Sequence, residues 1–477
     1  MVCLKVLMSL RGISLDRSVV TKRLEVAALR VEPPRTSEYL GRLKPYLLRM
    51  PRLRNAVDDG GGKKLILLKE EPPAGDEWLR GELERGDAER TSHAFEVGYD
   101  YFAADEALRT LLPRHVEVPS SFEQAGHVVH LNLRAEHEPY KEVIAQVVLD
   151  KTSQCRTVVN KVGDVGSAYR TFPLEVLAGD DDTVVTLKES DCVFEFDYRA
   201  VYWNSRLQAE HRRVVDLLAG LAASVKVADA TCGVGPFALP LAKRGVDVVA
   251  NDLNPAAVRA LRGNRRRNKI SDARLQIDGP GCARTFLRRN SYTHAILNLP
   301  AAGIALLDAF RGRLPPLPLE EKKCKDRGPL VLCYCFGPKA DKKKDKDDHA
   351  VFDDIRRRLE AALGVDPPPF LSEEEDDDES KIFPSTAVLE AYAAAADGGR
   401  TSVRWIRNVA PAKDMFCVAF RVPAACSRLP YEGVDDVGEE EDALAAPTTI
   451  TTTHPQKEDQ GPSAKRAKKD SSRGQAT

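Results

Sequence analysis

The chain has 477 residues, 43% of them hydrophobic, which is enough for two to three domains with sizeable cores. Its formal net charge is −1, so a chain-wide basic field is excluded and any nucleic-acid surface must be a local patch. No run of eighteen apolar residues occurs and the N-terminus lacks the apolar core of a secretory signal, so we expect a soluble intracellular protein without membrane contact.

The chain begins with a basic segment, which is followed by a polar one. Residues 1–60 are predicted to form a small N-terminal domain that ends in a Lys-, Arg- and Pro-rich stretch at 41–54. Residues 61–90 are polar and rich in Gly and Pro, and they are predicted to be a linker. The basic residues near the start leave two interpretations, a mitochondrial presequence or a folded segment.

Two regions with both strand and helix patterns follow. Residues 91–200 predict an α+β domain, and residues 201–426 predict a doubly wound α/β domain, with strands near 225–230, 246–252 and 294–298. Charged stretches at 315–327, 339–349 and 371–380 predict disordered surface insertions, because charge this dense cannot bury apolar area. Residues 427–477 are predicted to be a disordered tail, in which the basic run at 465–469 is either a nuclear import signal or solvated chain.

The ten cysteines favour a reduced protein without a zinc site. No Cys-x-x-Cys pair occurs, and Cys333 and Cys335 lie within an apolar strand. We therefore expect these two to be small core residues, and no metal is predicted.

A glycine-rich turn between two predicted strands indicates a nucleotide-cofactor pocket. Asp229 precedes the turn, Gly233 and Gly235 lie in it, and Asp252 ends the second strand, where it can accept hydrogen bonds from ribose hydroxyls. The spacing also satisfies the G-x-G-x-x-A pattern of dinucleotide-binding proteins. However, Asp229 would repel a pyrophosphate and Pro236 removes an N–H that a phosphate cradle would use. A cationic sulfonium suits Asp229, which favours S-adenosylmethionine.

A second signature lies at 293–300, where an apolar strand ends in Asn298 and Pro300. A fourth parallel strand would deliver these residues to the crevice beside the glycine-rich turn. The Asn298 amide can there hydrogen-bond the edge of a planar base; a strand-end cap is the alternative from sequence alone.

Ten motifs in order along residues 12–423 resemble the archaeal and eukaryotic type of tRNA (guanine-N1)-methyltransferase, which methylates the guanosine just 3′ of the anticodon. They lie at 15–18, 126–132, 158–161, 202–207, 210–211, 233–237, 251–255, 298–300, 333–336 and 409–413. Tyr-Trp-Asn-Ser-Arg-Leu at 202–207 and Asn-Leu-Pro at 298–300 are the most specific. The resemblance implies a Rossmann-like class I methyltransferase domain, S-adenosylmethionine as the methyl donor and tRNA as the partner.

The resemblance also implies the catalytic residues. Guanine N1 carries a proton, so methylation needs a base for N1–H and a cation for the charge that develops on O6. Glu210 and Arg170 match these two roles, while Asn298 and Pro300 would hold and shape the site of the guanine edge. From spacing alone, Glu210 and Arg206 could instead form an i, i+4 surface pair on one helix.

The implied cofactor contacts include one departure from the family pattern. They are Asp229, Gly233, Gly235, Asp252, Leu253, Asp278, Asn298, His211, Arg206 and Tyr202. Where the family has an Asp-x-Arg-x-Phe run after the third strand, this chain has Asp278 and, four residues later, Cys282; we expect Asp278 to meet the adenine side. Tyr202 and Trp203 could stack on a base or cofactor, or belong to the core; resemblance favours Tyr202 as the ligand contact.

The same resemblance assigns the RNA contacts. The N-terminal domain would bind the folded corner of tRNA, with Arg49, Arg52 and Arg54 as candidate phosphate contacts. Lys413 is a further candidate, although a loop lysine can also be simply solvated.

Two other functions remain open from sequence. One is the related aminocarboxypropyl transferase of wybutosine synthesis, which differs at the positions corresponding to 233–236 and 298–300. The other is a non-catalytic tRNA-binding protein with a vestigial pocket. We expect a cytoplasmic monomer, with nuclear and mitochondrial pools left open.

Overall fold

The computed structural model describes residues 8–9, 12–13, 15–72, 76–119, 122–163, 169–221, 225–314, 327–339, 348–370, 400–410 and 412–431. The predicted insertions at 315–327, 339–349 and 371–380 fall almost wholly outside these residues, as do most of the predicted tail and the basic run at 465–469. Within the described part of the chain, no helix is both long and apolar enough to cross a bilayer.

The first unit is an antiparallel sheet with two helices. Tyr39 and Leu79 from the two helices pack with Leu29 and Ile66 from the strands. The first two strands pair with each other, and the other four form a sheet in the order β4-β5-β3-β6. The elements are β1 (Met8–Ser9), β2 (Gly12–Ile13), β3 (Lys22–Val31), α1 (Thr36–Arg42), β4 (Ala56–Asp58), β5 (Lys64–Leu67), α2 (Glu77–Glu84) and β6 (Ala88–Val97).

This arrangement corrects two predicted boundaries. Strand β6 pairs with β3 along its whole length, so the first unit extends to residue 97 rather than 60. The predicted linker at 61–90 is wrong, because β5 supplies the buried Ile66 and Leu67 and α2 supplies the buried Leu79. The glycines that suggested a linker make the turn between β4 and β5, where Gly60 and Gly62 have positive φ.

The middle unit is a mixed sheet with a helix packed on one face. Its elements are α3 (Ala104–Leu111), β7 (Glu123–Ala125), β8 (Val128–Leu131), α4 (Lys141–Lys151), β9 (Thr157–Lys161) and β10 (Leu174–Gly179). The strand order is β10-β9-β8-β7, in which only β8 and β9 are parallel. Ile144 and Val148 of α4 pack with Val129 and Val158. The α+β region predicted from residue 91 therefore begins only after β6.

The third unit is a seven-stranded mixed sheet. Its strand order is β15-β14-β13-β16-β17-β19-β18; the first five strands are parallel, and β19 runs antiparallel to both of its neighbours. The elements are α5 (Gln208–Ala219), β13 (Lys226–Asp229), α6 (Ala238–Lys243), β14 (Asp247–Ala250), α7 (Pro255–Arg267), β15 (Leu275–Ile277), α8 (Ala283–Arg289), β16 (His294–Leu297), β17 (Arg327–Pro338), α9 (Asp348–Leu363), β18 (Ser402–Ala410) and β19 (Lys413–Pro423).

Helices cover both faces of this sheet. Val214 of α5, Leu239 of α6 and Leu261 of α7 belong to the core on one face, while Phe286 of α8 and Ile355 of α9 belong to the core on the other. The strand order reverses between β13 and β16, which opens a crevice at the carboxyl ends of these strands. The chemistry is therefore expected at the residues that follow β13, β14 and β16.

Cys333 and Cys335 confirm the core interpretation of the cysteines. Both are fully buried in β17 and belong to the same core, because residues two apart in a strand share a face.

A hairpin of β11 (Val184–Glu189) and β12 (Cys192–Asp197) connects the middle and third units. Two amide side chains hold the hairpin, one in α7 and one immediately after it. The buried Asn264 accepts a hydrogen bond from Glu195 N at 2.8 Å, and Asn268 accepts from Val193 N at 2.8 Å and donates to Val193 O at 2.7 Å. This docking fixes the segment that leads from β12 to Tyr202 against the catalytic crevice.

Candidate active site

Asp252 lies at the crevice, two residues after β14. The parallel pairing of β13 with β14 brings it beside Asp229, the last residue of β13. The Asp252 carboxylate accepts hydrogen bonds from Gly233 N and Asn254 N, both at 2.8 Å. Burial raises the pKa of the Asp252 carboxyl, and the two N–H donors oppose that shift.

Asp229 is more isolated than Asp252. It is fully buried, and neither of its carboxylate oxygens has a donor in full hydrogen-bond geometry within the described ranges. Burial, followed by repulsion from Asp252, raises the pKa of Asp229 well above its usual range, and the Ala238 N–H opposes this by a smaller amount. Since no ion pair of the described residues reaches either carboxylate, a ligand with a cationic group would supply the missing charge.

Gly233 and Gly235 form the turn after β13, and both have positive φ, at 55° and 98°. A Cβ at Gly235 would lie 2.5 Å from Leu261 Cδ1, so α7 packs directly on that backbone. A Cβ at Gly233 would meet nothing within 4 Å, so this residue faces open space beside Asp252. Gly235 therefore permits the packing of the turn, whereas Gly233 leaves room for a ligand.

Three further polar atoms at this end of the sheet are buried without a partner among the described residues. They are Thr231 Oγ1, Asn251 Oδ1 and Asn298 Oδ1. Buried polar atoms normally find hydrogen bonds, so a set of orphans around two carboxylates points to a polar ligand. The side chain of Leu253, which follows Asp252, is exposed and could cover an apolar ring. These residues fit S-adenosylmethionine, which offers a sulfonium, ribose hydroxyls and an adenine.

The 298–300 turn lies at the same edge. The Pro300 carbonyl accepts a hydrogen bond from Phe336 N at 3.0 Å, which ties the turn to β17. The ammonium of Lys413 lies 4.7 Å from the centroid of the Phe336 ring. The structure thus brings Asn298, Pro300 and the exposed Lys413 together at the crevice.

Glu210 lies in the first turn of α5 and is almost completely buried. Arg213 forms a two-pronged ion pair with it, donating from Nε to Oε2 at 2.7 Å and from Nη2 to Oε1 at 2.6 Å. The Tyr334 hydroxyl donates to Oε1 at 2.7 Å. Glu210 is thus buried and pairs with Arg213, one helical turn after it, so the alternative of a surface pair with Arg206 is wrong.

Arg213 and Tyr334 also belong to the site, although neither was predicted from the sequence. Arg213 lies at i+3 from Glu210, a spacing that could have indicated the pair, and Tyr334 belongs to the motif at 333–336. Burial raises the pKa of the Tyr334 hydroxyl well above its usual range, and the Glu210 carboxylate adds to this, so Tyr334 stays a hydrogen-bond donor.

Arg170 and Tyr202 lie near one another outside the sheet. Arg170 is half-buried with φ at 57°, and no described residue forms an ion pair or hydrogen bond with it. Burial lowers the pKa of its guanidinium, and Tyr202 is close enough to oppose that shift. Tyr202 is 47% exposed, whereas Trp203 is 7% exposed and packs on Phe194 and Phe196. Tyr202 is therefore available to a ligand, and Trp203 is a core residue.

Other predicted cofactor contacts already have partners within the protein. The buried His211 has its Nδ1 2.6 Å from Glu189 Oε1. Asp278 accepts from Arg289 at 2.7 and 2.8 Å and from Asn290 at 2.7 Å. Cys282 is the residue immediately before α8. Contact of Asp278 or His211 with the cofactor remains a prediction, and it would have to coexist with these bonds.

The three candidate RNA contacts of the first unit lie in the loop between α1 and β4. Arg49, Arg52 and Arg54 are all exposed. Arg52 lies 3.3 Å from Asp100, while Arg49 and Arg54 form no ion pair with described residues. The last two are thus free to meet an anion.

Comparisons with known proteins identify the family and the fold. Two family models match consecutive parts of the chain, the TYW2 N-terminal domain at 104–183 and the TRM5/TYW2 methyltransferase domain at 184–314. The fold resembles the crystal structure of WT Trm5b from Pyrococcus abyssi, with a TM-score of 0.51 at 20% identity, covering 83% of this chain and 99% of that one. It also resembles aTrm5 in its complex with tRNALeu, with a TM-score of 0.52 at 17% identity and the same coverages. These likenesses support the α/β methyltransferase fold.

Curated relatives carry the name tRNA (guanine(37)-N(1))-methyltransferase. The protein from Phytophthora infestans is 37% identical over 427 residues, covering 86% of this chain and 92% of the relative. The protein from Danio rerio is 33% identical over 442 residues, covering 87% and 83%, and that from Homo sapiens is 31% identical over 441 residues, covering 87% and 77%. With identities above 30% across most of both chains, the chain belongs to the family of tRNA (guanine(37)-N(1))-methyltransferases.

Proposed function

We propose that this protein transfers a methyl group from S-adenosylmethionine to N1 of guanosine 37 in tRNA. The observation that carries the proposal is the buried Asp229 beside the partly buried Asp252, two carboxylates at the carboxyl end of the sheet that lack a cationic partner among the described residues. The curated relatives with this activity share most of the chain length. They also support methyl transfer over the related aminocarboxypropyl transfer.

The donor site is built from the turn after β13 and the end of β14. Bound there, S-adenosylmethionine supplies an electrophilic methyl group. Asp252 would accept hydrogen bonds from the ribose hydroxyls, and Asp229 would lie nearest to the cationic part of the donor. Gly233 leaves open space beside Asp252, into which the donor would fit. In this arrangement the protein holds the cofactor mainly through carboxylate oxygens, which suit the positive charge of the methyl donor.

Glu210 is proposed as the base that removes the N1 proton. Among the described residues, Oε1 accepts hydrogen bonds from Tyr334 and Arg213, whereas Oε2 accepts one from Arg213 alone. A carboxylate oxygen has two acceptor positions, so Oε2 retains one for the N1–H. Arg213 and Tyr334 act as positioning residues, because they fix the carboxylate in one orientation.

Arg170 is proposed to stabilise the negative charge that develops on O6. No described residue pairs with its guanidinium, which is what a residue reserved for a substrate anion requires. Asn298 would hold the guanine edge through its buried, unpartnered Oδ1, which can accept a hydrogen bond from the base. Pro300, whose carbonyl is anchored to Phe336, would fix the turn that carries Asn298.

The decisive test is nucleoside mass spectrometry of a tRNA transcript incubated with the protein and S-adenosylmethionine. We expect 1-methylguanosine from a transcript with guanosine 37 and none from a matched transcript with adenosine 37. Asp252→Ala serves as the pocket-deficient control. Appearance of an aminocarboxypropyl adduct, or cofactor binding without any nucleoside change, would instead support the related transferase or a non-catalytic protein.

We also propose that the protein acts as a cytoplasmic monomer. Light scattering on the purified protein and fractionation of cells would test the two parts separately.

A further inference from the structure

A cavity of about 280 Å³ lies between the middle unit and the segment that precedes α5. Its wall is drawn from β8, β9 and residues 198–206, together with the segments around residues 122 and 172. None of the crevice residues assigned above except Tyr202 and Arg206 lines it. The cavity therefore lies next to the catalytic crevice, and Tyr202 and Arg206 are the residues that the two share.

The rim of the cavity is aromatic. Tyr202 and Phe122 are exposed by 47% and 38%, which is unusual for large apolar rings, and Phe172 also lines the wall. Flat exposed rings around a pocket are the surfaces on which unpaired bases stack.

The wall also carries a buried polar atom without a partner. Nε2 of His130 is inaccessible to solvent and forms no hydrogen bond to a described residue, while its Nδ1 lies 3.4 Å from the Tyr198 hydroxyl. Burial lowers the pKa of His130, and the charges of Lys161 and Arg206 lower it further against the opposing effect of Glu123. These effects favour the neutral ring, which presents an uncharged aromatic surface in the wall against which a base can pack.

The charges around the cavity are mainly positive. The Lys161 ammonium lies 4.1 Å from the centroid of the Phe172 ring and forms no ion pair with described residues, and Arg206 is exposed. The acidic side chain, Glu123, is already engaged, because its Oε1 accepts from Ser205 N at 2.7 Å and from Ser205 Oγ at 2.9 Å. The cationic side chains of Lys161 and Arg206 lie next to rings on which a base can stack, so together they suit a nucleotide with its phosphate.

We propose that this cavity binds an unstacked nucleotide of the tRNA adjacent to the methylated guanosine. Its base stacks on the aromatic rim and meets His130, and its phosphate meets Lys161 and Arg206. The inference rests on the proposed function, because extraction of guanosine 37 removes the stacking partner of its neighbours and frees one of them to bind elsewhere. Tyr202, which lines the cavity and lies near Arg170, joins the two sites.

The test is a double-mutant cycle between the cavity and the RNA. Full-length tRNA transcripts keep guanosine 37 but carry an abasic residue at nucleotide 36 or at nucleotide 38. The protein variants are His130→Phe, which keeps an aromatic ring in the wall but removes its ring nitrogens, and Asn132→Ala, which removes an exposed lining side chain that has no hydrogen bond to described residues. Lys161→Gln is compared with Lys188→Gln, which removes an exposed lysine of β11 that does not line the cavity.

We expect one of the two abasic transcripts to bind the wild-type protein roughly 5- to 100-fold more weakly, as the loss of a stacked base predicts. His130→Phe and Asn132→Ala should weaken binding of intact tRNA and show little further loss with that transcript, because the paired groups are coupled. Lys161→Gln should weaken binding more than Lys188→Gln does.

Equal binding of intact tRNA and both abasic transcripts by the wild-type protein would overturn the proposal. Losses from the protein and RNA changes that simply multiply in both variants would do the same. A wild-type protein that shows the coupling but never methylates guanosine 37 would refute the proposed function and leave the cavity assignment standing. The two failures are therefore distinguishable.

Discussion

Replacement of Asp229 by Asn should stabilise the cofactor-free protein while weakening its binding of S-adenosylmethionine. In the folded chain Asp229 is fully buried beside Asp252, and both effects raise its pKa, whereas an unfolded chain leaves the carboxyl at its ordinary pKa. A proton is therefore bound more tightly in the folded state. The stability associated with this proton is complete below the unfolded pKa and is lost as the pH rises toward the folded pKa.

The size of the effect has a ceiling. Protonating a carboxyl above its ordinary pKa costs about 1.4 kcal/mol per pH unit, hence about 4 kcal/mol at pH 7. If burying the charged form of Asp229 cost more than this, the carboxyl would take up a proton instead, so the destabilisation cannot exceed that value. An amide of the same shape removes the charge but still needs hydrogen bonds, which offsets part of the gain. We expect a net gain of about 1–3 kcal/mol, or a rise in Tm of roughly 2–10 °C for a unit of this size.

Thermal unfolding at pH 7.5 without cofactor measures the stability, and calorimetry measures the affinity. The matched control is Asp247→Asn, which removes an exposed carboxylate paired with Arg274 at the opposite end of β14 and should change Tm very little. Because a bound cation lowers the pKa of Asp229, wild-type affinity should also rise with pH over the window in which the free carboxyl titrates. An Asp229→Asn protein that is less stable than wild type without cofactor, or that binds the cofactor equally well, would refute the electrostatic argument.

Three other changes test separate parts of the site. Asp252→Ala should weaken S-adenosylmethionine binding by about 2–3 kcal/mol with folding retained, and unchanged affinity in calorimetry would show that the cofactor lies elsewhere. Glu210→Gln should slow single-turnover methylation by roughly 10²–10⁴ with tRNA and cofactor affinities nearly unchanged; a near wild-type rate at neutral pH would exclude Glu210 as the base. Arg49→Gln with Arg54→Gln should weaken tRNA binding and flatten its salt dependence by about two phosphate contacts, while an unchanged salt slope would remove this loop from the interface.

The positions of the crevice residues follow from sequence because they depend on local rules. A strand, a glycine turn and a helix place Asp229, Gly233 and Asp252 at one edge of a parallel sheet whatever the rest of the chain does. The same rule delivers Asn298 from β16. For these residues, spacing along the chain determines location in space.

The residues that position Glu210 are harder to predict from sequence, because Tyr334 comes from a distant segment of the chain. Tyr334 reaches Glu210 across 124 positions, because α5 packs on the face of the sheet that carries Tyr334. The predicted linker at 61–90 failed for a similar reason. Its Gly and Pro residues indicate turns, but only the pairing of β5 with β3 shows that the segments between those turns are buried.

The two ends of the proposed reaction use acidic residues in opposite ways. At the donor end, Asp229 has no ion-pair partner among the described residues and burial raises its pKa, so a bound cation is what favours its charged form. At the acceptor end, Glu210 is held by Arg213 and Tyr334, and its orientation is fixed before any substrate binds. An unpaired buried acid selects a ligand by charge, whereas a paired one is held in a fixed position before the ligand arrives. A fixed position suits Glu210, because the guanine N1–H needs an acceptor at a defined place at the moment of methyl transfer. Arg170 can then offset the negative charge that develops on the guanine O6.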